Sequence, residues 1–186
     1  GAFITMVLTR THSDKVDLVG WSQGAGPLPN QYLKFENGAS KVDHFIGLVP
    51  SNHGTTAYGL NLFLNSTTSK LGARFDDSMT LLNGMPAPQQ LQGSDFNKAL
   101  YDTPVTQPGV KYTIITSTHD HVVVPYTNAY LHEPGVKNVL LQNICPTDKT
   151  GHGNITYDPN VIQMVDNELD SAHAHAVQCT PMKFIG

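Results

Sequence analysis

A serine flanked by glycines follows a short apolar run near the start of the chain. Residues 16–20 read VDLVG, and residues 20–24 read GWSQG, which is a G-x-S-x-G pattern. Residues 24–37 then favour a helix, although its first turn is weakened by prolines. A serine on a sharp turn between a strand and a helix needs small neighbours, because larger side chains would collide there. The pattern therefore predicts a strand, a tight turn that carries Ser22, and a helix.

Three later apolar runs have the length and composition of buried strands. They occupy residues 42–50, 111–117 and 137–142. Residues 2–13 have apolar side chains at helical spacing, although so short a run also fits a strand. Strands that alternate with helices favour the α/β class, with a mainly parallel sheet covered by helices on both faces.

The last helix is predicted from its capping residues and its apolar spacing. Asp158 is suited to the N-cap, and Pro159 is well tolerated in the first helical turn. The predicted apolar face comprises Val161, Ile162, Val165 and Leu169.

One long stretch, residues 59–100, interrupts the alternation of strands and helices. It contains an apolar cluster with Leu60 and Phe63, and we interpret it as an insertion above the sheet. The cluster could serve as a lid or as an acyl-binding wall, and an ordinary core helix fits it equally well. Asp76 and Asp77 are interpreted as a solvated turn. Because no repeat or linker is visible, residues 1–186 are predicted to form a single domain.

The composition excludes several classes of protein. Eleven Lys and Arg residues against fifteen Asp and Glu give a net charge of −4, without the basic stripe typical of nucleic-acid binders. No apolar run approaches the roughly 20 residues that a membrane span requires. With 39% hydrophobic residues the chain is too apolar for a disordered tail. We therefore expect a folded domain that acts on something small or neutral, with neither nucleic acid nor an integral membrane segment.

A nucleophilic serine needs a histidine base, and the base needs a carboxylate that orients it. In folds with this turn, the acid and then the histidine follow on loops after later strands. Asp120 follows the third predicted strand, and His152 stands between glycines on the loop after the fourth. Together with Ser22 they are the candidate catalytic residues. The backbone N–H of Gln23, at the start of the predicted helix, is a candidate oxyanion donor.

Other polar residues offer alternatives. Asp148 lies on the same loop as His152 and is a second, less favoured candidate for the acid. His119 and His121 flank Asp120 and suggest a metal site, but alternating residues at a strand end point apart and no third ligand is evident. The remaining histidines are interpreted as structural or solvated, namely His12, His44, His53, His132, His173 and His175.

Two cysteines and two sequons bear on the compartment. Cys145 and Cys179 fit either a disulfide or two buried free thiols, and a bridge would close a loop of about 35 residues. N-x-[ST] sequons at Asn65 and Asn154 suit a secreted chain, and their glycosylation is left open. These features favour an oxidising, extracellular setting.

Longer stretches of the sequence resemble the secreted triacylglycerol lipases of the α/β-hydrolase superfamily, and most closely those of the lipase class 2 type. The resemblance is carried by VDLVGWSQGAG, GASKVDHFIGLVPSNHGTT, ITSTHDHVVVPYTNAYL, LLQNICP and GHGNITYDP, and it covers about residues 16–179. It implies that Ser22 is the nucleophile, Asp120 the acid and His152 the base. It also implies a lipid or other ester as substrate, and no metal or organic cofactor.

The resemblance further implies a disulfide between Cys145 and Cys179. Trp21 stands where the family commonly has histidine, and it is interpreted as a packing residue or a wall of the substrate pocket. Family members carry an earlier strand and a His-Gly loop that supplies the second oxyanion donor. His53 and Gly54 imitate that motif after the nucleophile, and we interpret them as a loop that lines the site.

The resemblance therefore predicts a partial α/β-hydrolase fold, the C-terminal portion of such a lipase, without the N-terminal strands and the oxyanion loop. The first strand would then be an exposed apolar edge that an N-terminal portion or a partner chain completes. Three alternatives remain. The chain could be a catalytically incomplete fragment that acts as a binding or structural module, a short-chain esterase, or an acyltransferase that uses the same residues.

Overall fold

The structure is a computed structural model, and it describes residues 1–56 and 86–184. The strands are Val16–Trp21 (β1), Val42–Leu48 (β2), Lys111–Thr116 (β3) and Lys137–Leu140 (β4). The α-helices are Ala2–Thr11 (α1), Pro27–Phe35 (α2), Pro86–Gln89 (α3), Asp95–Tyr101 (α4), Leu141–Ile144 (α5) and Pro159–Leu169 (α6). Short 3-10 turns occupy Ser22–Ala25, Gly38–Lys41, Tyr126–Ala129, Ile155–Tyr157 and Ser171–His173.

The four strands form one parallel sheet in the order β1-β2-β3-β4. Since neighbouring strands run in the same direction, their carboxyl ends meet at one edge of the sheet. Trp21 at the end of β1 pairs with Leu48 at the end of β2, and Leu48 pairs with Ile115 near the end of β3. The predicted parallel α/β architecture is confirmed.

Apolar side chains bury both faces of the central strands. One face packs against α2 and α4, and its core comprises Leu33, Val42, Phe45, Leu100, Val105, Tyr112, Ile114, Val123, Ala129 and Leu131. The other face packs against α6, and its core comprises Ile46, Leu48, Val49, Ile115, Leu141, Cys145, Ile155, Val161 and Met164. Burial on both sides explains why β2 and β3 read as near-continuous apolar runs.

The strand β1 lies at the edge of the sheet, and apolar side chains beside it remain exposed. Val19 and Trp21 are 49% and 38% exposed, and Ile162 of the neighbouring helix α6 is 47% exposed. Helix α1 buries none of its residues, and Phe3 is 70% exposed. Isolated exposed apolar residues are ordinary, but Val19, Trp21 and Ile162 line one cleft beside β1.

The apolar face of α6 differs from the predicted one. Its buried residues are Asn160, Val161 and Met164, whereas Ile162 and Leu169 are largely exposed. At 100° per residue, Met164 follows Val161 onto the side that faces the sheet, while Ile162 is turned towards the edge strand.

The predicted insertion at residues 59–100 is described only from residue 86 onwards. There, Leu100 of α4 is 1% exposed and packs with Leu33 of α2 in the core. Ser94 caps α4, since its side chain accepts a hydrogen bond from the N–H of Asn97 at 3.1 Å. Several residues singled out in the sequence lie outside the described residues, namely Leu60, Phe63, Asn65, Asp76 and Asp77.

A disulfide joins Cys145, at the end of α5, to Cys179 in the C-terminal segment. The same segment is bound to the loop between α5 and α6, because the N–H of Lys149 donates to the carbonyl of Met182 at 3.0 Å. Across residues 1–56 and 86–184, the structure contains no helix of the length and apolarity that would be needed to cross a bilayer.

Candidate active site

Ser22 sits on a strained turn where β1 passes into helical structure. It has a positive φ of 57°, which is uncommon for a residue with a side chain. The turn needs glycine at position 20, because a Cβ there would lie 2.1 Å from the carbonyl oxygen of Gly24. At Gly24 itself a Cβ would have nothing within 4 Å. The strand–serine–helix arrangement predicted from the G-x-S-x-G pattern is therefore present, and only the first glycine is sterically required.

The three candidate catalytic side chains lie together in one hydrogen-bonded row. Oγ of Ser22 is 2.9 Å from Nε2 of His152, and Nδ1 of His152 is 2.9 Å from Oδ2 of Asp120. Asp120 and His152 are almost fully buried, at 3% and 2% exposure. In this arrangement Nε2 can take the serine proton, while the carboxylate stabilises the positive charge that develops on the ring.

The second oxygen of Asp120 is held by its own loop. Oδ1 accepts hydrogen bonds from the N–H groups of Val122 and Val123, at 2.8 and 3.0 Å. One oxygen is thus fixed to the backbone, and the other faces His152. The turn after β3 therefore presents the carboxylate in a single orientation.

The histidine loop is organised by a buried polar cluster that sequence analysis did not identify. Asn154 accepts from the N–H of Gly151 at 2.9 Å and donates to the carbonyl of Lys183 at 3.1 Å. Thr150 donates from its hydroxyl to Asp158 at 2.5 Å and from its N–H to Asp148 at 2.8 Å. The sequence marks Asn154 by its sequon and Asp158 as a helix N-cap, but neither signal reveals that these residues are buried together.

Two buried carboxyl groups lie within this cluster. Asp148 and Asp158 are 1% and 0% exposed, and both accept hydrogen bonds from Asn160, at 2.5 and 2.8 Å. Burial raises the pKa of Asp158, and the neighbouring Asp148 raises it further, while hydrogen bonds from Thr150 and Asn160 oppose the change. The alternative acid Asp148 is thus engaged within the cluster, and it is Asp120 whose carboxylate accepts the hydrogen bond from Nδ1 of His152.

Trp21 contacts the histidine from the end of β1. Its indole Nε1 donates to the carbonyl oxygen of His152 at 2.9 Å, and the ring centroids are 5.4 Å apart. Trp21 is also one wall of an apolar cleft of about 260 Å³ beside β1, which Val19, Leu48, Ile162 and Val165 also line. Trp21 thus packs against His152 and lines a cleft, and its role as a wall of the substrate pocket stays a prediction.

His53 lies on the loop after β2, against Tyr101 and His132. Its ring centroid is 5.0 Å from that of Tyr101 and 5.9 Å from that of His132, and the two imidazoles are nearly parallel. Burial lowers the pKa of His53, the neighbouring His132 lowers it further, and Glu133 opposes the change. The loop of His53 is hydrogen-bonded to the turn after β3, since the N–H of His53 donates to the carbonyl of Asn128 at 2.9 Å.

His119 and His121, which flank Asp120, do not form a metal site with it. His121 contacts the ring of Phe184 at a centroid distance of 5.0 Å, and the carboxylate of Asp120 is engaged as described above. Within the described part of the chain, no three His, Cys, Asp or Glu side chains are grouped so as to hold a metal ion.

Solved structures that are similar to this chain include two lipases and an α/β-hydrolase enzyme. Aspergillus fumigatus lipase B is 24% identical, with a TM-score of 0.69 over 95% of this chain and 41% of that enzyme. A Bacillus licheniformis lipase in its mature form is 19% identical, with a TM-score of 0.51 over 75% of this chain and 62% of that one. An α/β-hydrolase enzyme from a lagoon-sediment metagenome is 16% identical, with a TM-score of 0.52 over 94% of this chain and 69% of that one. The chain thus spans under two thirds of both lipases.

No curated protein matches the chain in sequence. The family model for lipase (class 2), in contrast, matches residues 2–165, which is most of the chain. With the parallel sheet, the serine turn and the match over these residues in agreement, the chain belongs to the class 2 lipase family of the α/β-hydrolase fold.

Proposed function

We propose that this chain hydrolyses carboxylic esters, and triacylglycerols in particular, through an acyl-enzyme on Ser22. The observation that carries the proposal is the hydrogen-bonded row from Ser22 through His152 to Asp120, with both distances at 2.9 Å. Its position at the carboxyl edge of a parallel sheet is where α/β folds bind ligands. Membership of the class 2 lipase family favours a lipid ester over other acyl substrates.

The proposed reaction has two steps. In the first, Nε2 of His152 takes the hydroxyl proton of Ser22 while Oγ attacks the ester carbonyl carbon. The tetrahedral oxyanion accepts a hydrogen bond from the N–H of Gln23, and collapse breaks the bond to the alcohol, which leaves with the proton from His152. In the second, water attacks the acyl-enzyme with His152 again as base, and the fatty acid leaves as Ser22 regains its proton.

The protein's other proposed roles follow from the same site. Trp21 would hold the backbone of His152 and border the bound ester. His53 would line the substrate site from the loop after β2. We place the enzyme outside the cell, because the disulfide between Cys145 and Cys179 is stable in an oxidising compartment. No metal or organic cofactor is needed for the chemistry described.

A second proposal concerns the edge of the sheet. A further polypeptide segment, from the same polypeptide or from a partner chain, would pair with β1 and supply the second oxyanion donor. The support is the group of exposed apolar residues at β1, namely Val19, Trp21 and Ile162. Unpaired apolar strand edges promote aggregation, so a cover is expected. Loss of one oxyanion donor typically lowers the rate by about 10²–10³-fold. The segment that pairs with β1 would therefore raise the turnover rate by a similar factor.

Covalent labelling tests the main proposal. The purified protein is treated with a fluorophosphonate, and the adduct is mapped by peptide mass spectrometry beside the variant Ser22→Ala. We expect an adduct on Ser22, formed far faster than on an ordinary serine and absent from the variant. A folded protein that gives no adduct on Ser22 would overturn the proposal, and the alternative of an inactive binding module would then stand.

Substrate profiling separates the related enzyme classes. Hydrolysis of emulsified long-chain triacylglycerol supports a lipase, whereas cleavage limited to short soluble esters supports an esterase. Added alcohol that captures the acyl group in preference to water identifies an acyltransferase. Rates are compared before and after addition of an N-terminal segment of a related lipase, and a rate gain of about a hundredfold would support the proposed cover of β1.

A further inference from the structure

Thr55, on the loop after β2, contacts the turn that carries the acid. It is 2% exposed, and its hydroxyl donates a short hydrogen bond to the carbonyl oxygen of Val122. The same hydroxyl accepts from the N–H of Val124 at 3.1 Å. One side chain thus binds the backbone on both sides of Val123, and no step of the proposed mechanism uses it.

The bond to Val122 acts on the peptide unit that holds the acid. The carbonyl of Val122 and the N–H of Val123 belong to one planar peptide group. That N–H donates to Oδ1 of Asp120 at 3.0 Å. When Thr55 fixes the carbonyl end of this unit, it therefore fixes the direction of the N–H that orients the carboxylate.

The backbone of Thr55 is itself held firmly. Its N–H donates to the carbonyl of Gln90 at 2.9 Å, and its own carbonyl accepts from the N–H of Gln92 at 2.8 Å. The approach is close, because a Cβ at Gly54 would lie 2.7 Å from the backbone nitrogen of Gln92. The hydroxyl thus extends from a residue whose backbone N–H and carbonyl are both hydrogen-bonded to residues 90–92.

We propose that Thr55 is a positioning residue for the acid of the site, acting through the Val122–Val123 peptide on Asp120 and thereby on His152. The chain of hydrogen bonds runs from the Thr55 hydroxyl through that peptide to Oδ1, and from Oδ2 to the imidazole. Consecutive hydrogen bonds of this kind polarise one another in a buried setting. The proposal rests on the function proposed above, since it assigns Thr55 a part in that reaction.

The test compares three variants: one without the Thr55 hydroxyl, one that keeps it, and one that lacks a different buried hydroxyl. Thr55→Val keeps the shape and removes both hydrogen bonds, and Thr55→Ser keeps the hydroxyl. Thr116→Val is the matched control, because the buried hydroxyl of Thr116 has no hydrogen-bond partner among the residues that the structure describes. All three are checked for folding by circular dichroism and thermal unfolding before use.

Two readouts are measured. The first is the rate of fluorophosphonate labelling at Ser22, together with kcat and KM for a short ester. The second is the downfield proton NMR signal of the hydrogen bond between His152 and Asp120, which needs no turnover. We expect Thr55→Val to lower the labelling rate and kcat about tenfold with KM little changed, and to shift or broaden the NMR signal. Thr55→Ser and Thr116→Val should stay within about twofold of the parent protein.

The outcomes separate this proposal from the one on which it rests. A folded Thr55→Val protein with the parent labelling rate and an unchanged NMR signal would overturn the role of Thr55. Equal losses in Thr55→Val and Thr116→Val would also overturn it, because they would show a general effect of removing buried hydroxyls. A parent protein that does not label at all contradicts the proposed function, while the NMR comparison of the variants still decides whether Thr55 orients the acid.

Discussion

The indole of Trp21 and the backbone of His152 are joined by a hydrogen bond of 2.9 Å, although 131 residues separate them in the chain. Trp21 immediately precedes Ser22, so the strand that leads to Ser22 also holds the loop that carries His152. The separation of Ser22 and His152 therefore depends on β1 as well as on the histidine loop.

Replacing Trp21 with phenylalanine removes this hydrogen bond and keeps an aromatic ring. We expect Trp21→Phe to destabilise the fold by about 0.5–1.5 kcal/mol and to lower kcat severalfold, because the carbonyl of His152 loses its donor. Urea unfolding and ester hydrolysis measure the two effects. The control is Tyr32→Phe, which removes a buried hydroxyl that has no hydrogen-bond partner in the described ranges 1–56 and 86–184. Equal kcat in the two variants would contradict this role of Trp21.

The two glycines of the serine turn should respond differently to alanine. A Cβ at residue 20 would overlap the backbone of Gly24, so Gly20→Ala should cost about 3 kcal/mol or more and abolish labelling of Ser22. Gly24→Ala meets open space and should change stability by no more than about 0.5 kcal/mol. Thermal unfolding of the pair measures the difference. If both variants unfold at the same temperature, the steric argument for glycine at residue 20 fails.

Loss of the disulfide should loosen the segment that carries His152. Cys145 and Cys179 are 34 residues apart, and a loop of that size is typically worth about 3–4 kcal/mol. We expect the double variant Cys145→Ser, Cys179→Ser to melt roughly 10 °C lower than the parent protein. A reducing agent should lower the melting temperature of the parent protein to the same value and leave the double variant unchanged. A reducing agent that lowers both equally would point to another cause.

The lowered pKa of His53 predicts how stability depends on pH. The unfolded chain binds a proton at His53 near the usual pKa of 6.5, whereas the native protein resists protonation because the ring is buried beside His132. This contribution to stability is present above pH 6.5 and is lost as the pH falls towards the native pKa. His53→Gln should therefore flatten the decrease in unfolding free energy between pH 7 and pH 5.

The exposed His12 supplies the control for that measurement. His12→Gln removes an exposed histidine, so comparison with it shows how much of the effect of His53→Gln is specific to the buried ring. A parent protein whose unfolding free energy is constant from pH 7 to pH 5, or a His53→Gln variant with an unchanged slope, would show that His53 is not the group responsible.

The sequon at Asn154 should carry no glycan in the folded protein. Its side chain is buried and makes hydrogen bonds on both sides, to Gly151 and Lys183, so no oligosaccharide can be accommodated there. Expression in a glycosylating host followed by peptide mass spectrometry should find Asn154 unmodified. Asn154→Ala should destabilise the fold by about 1–3 kcal/mol, whereas Thr156→Ala, which also removes the sequon, should cost much less. An occupied Asn154 in folded, active protein would contradict the structure.

Local patterns in the sequence were enough to predict the strands and the serine turn. β1 to β4 each overlap a predicted apolar run. The steric need for glycine at residue 20 is visible in the motif itself. The order of Ser22, Asp120 and His152 could be predicted because each follows a strand, and parallel strands end at one edge. What could be predicted from the sequence therefore depends on neighbouring residues or on the direction of the strands.

The polar contacts could not be predicted, because they join residues that are far apart in the chain. Thr55 and Asn154 resemble ordinary turn residues, and nothing nearby in the sequence shows that they are buried. The face of α6 was misjudged at Ile162 for a related reason. Periodicity identifies apolar positions, but the direction of the edge strand decides which of them face the core.

The distance along the chain between Ser22 and His152, 130 residues, has a consequence for synthesis. Contacts between such distant residues close late, since the entropy of a long loop is lost before the contact repays it. The ribosome releases Ser22 long before His152, and the Trp21 bond and the disulfide form only after residues 152 and 179 have been made. If Ser22 is the nucleophile proposed above, a nascent protein would carry it without its base until the segment with His152 has been made and folded.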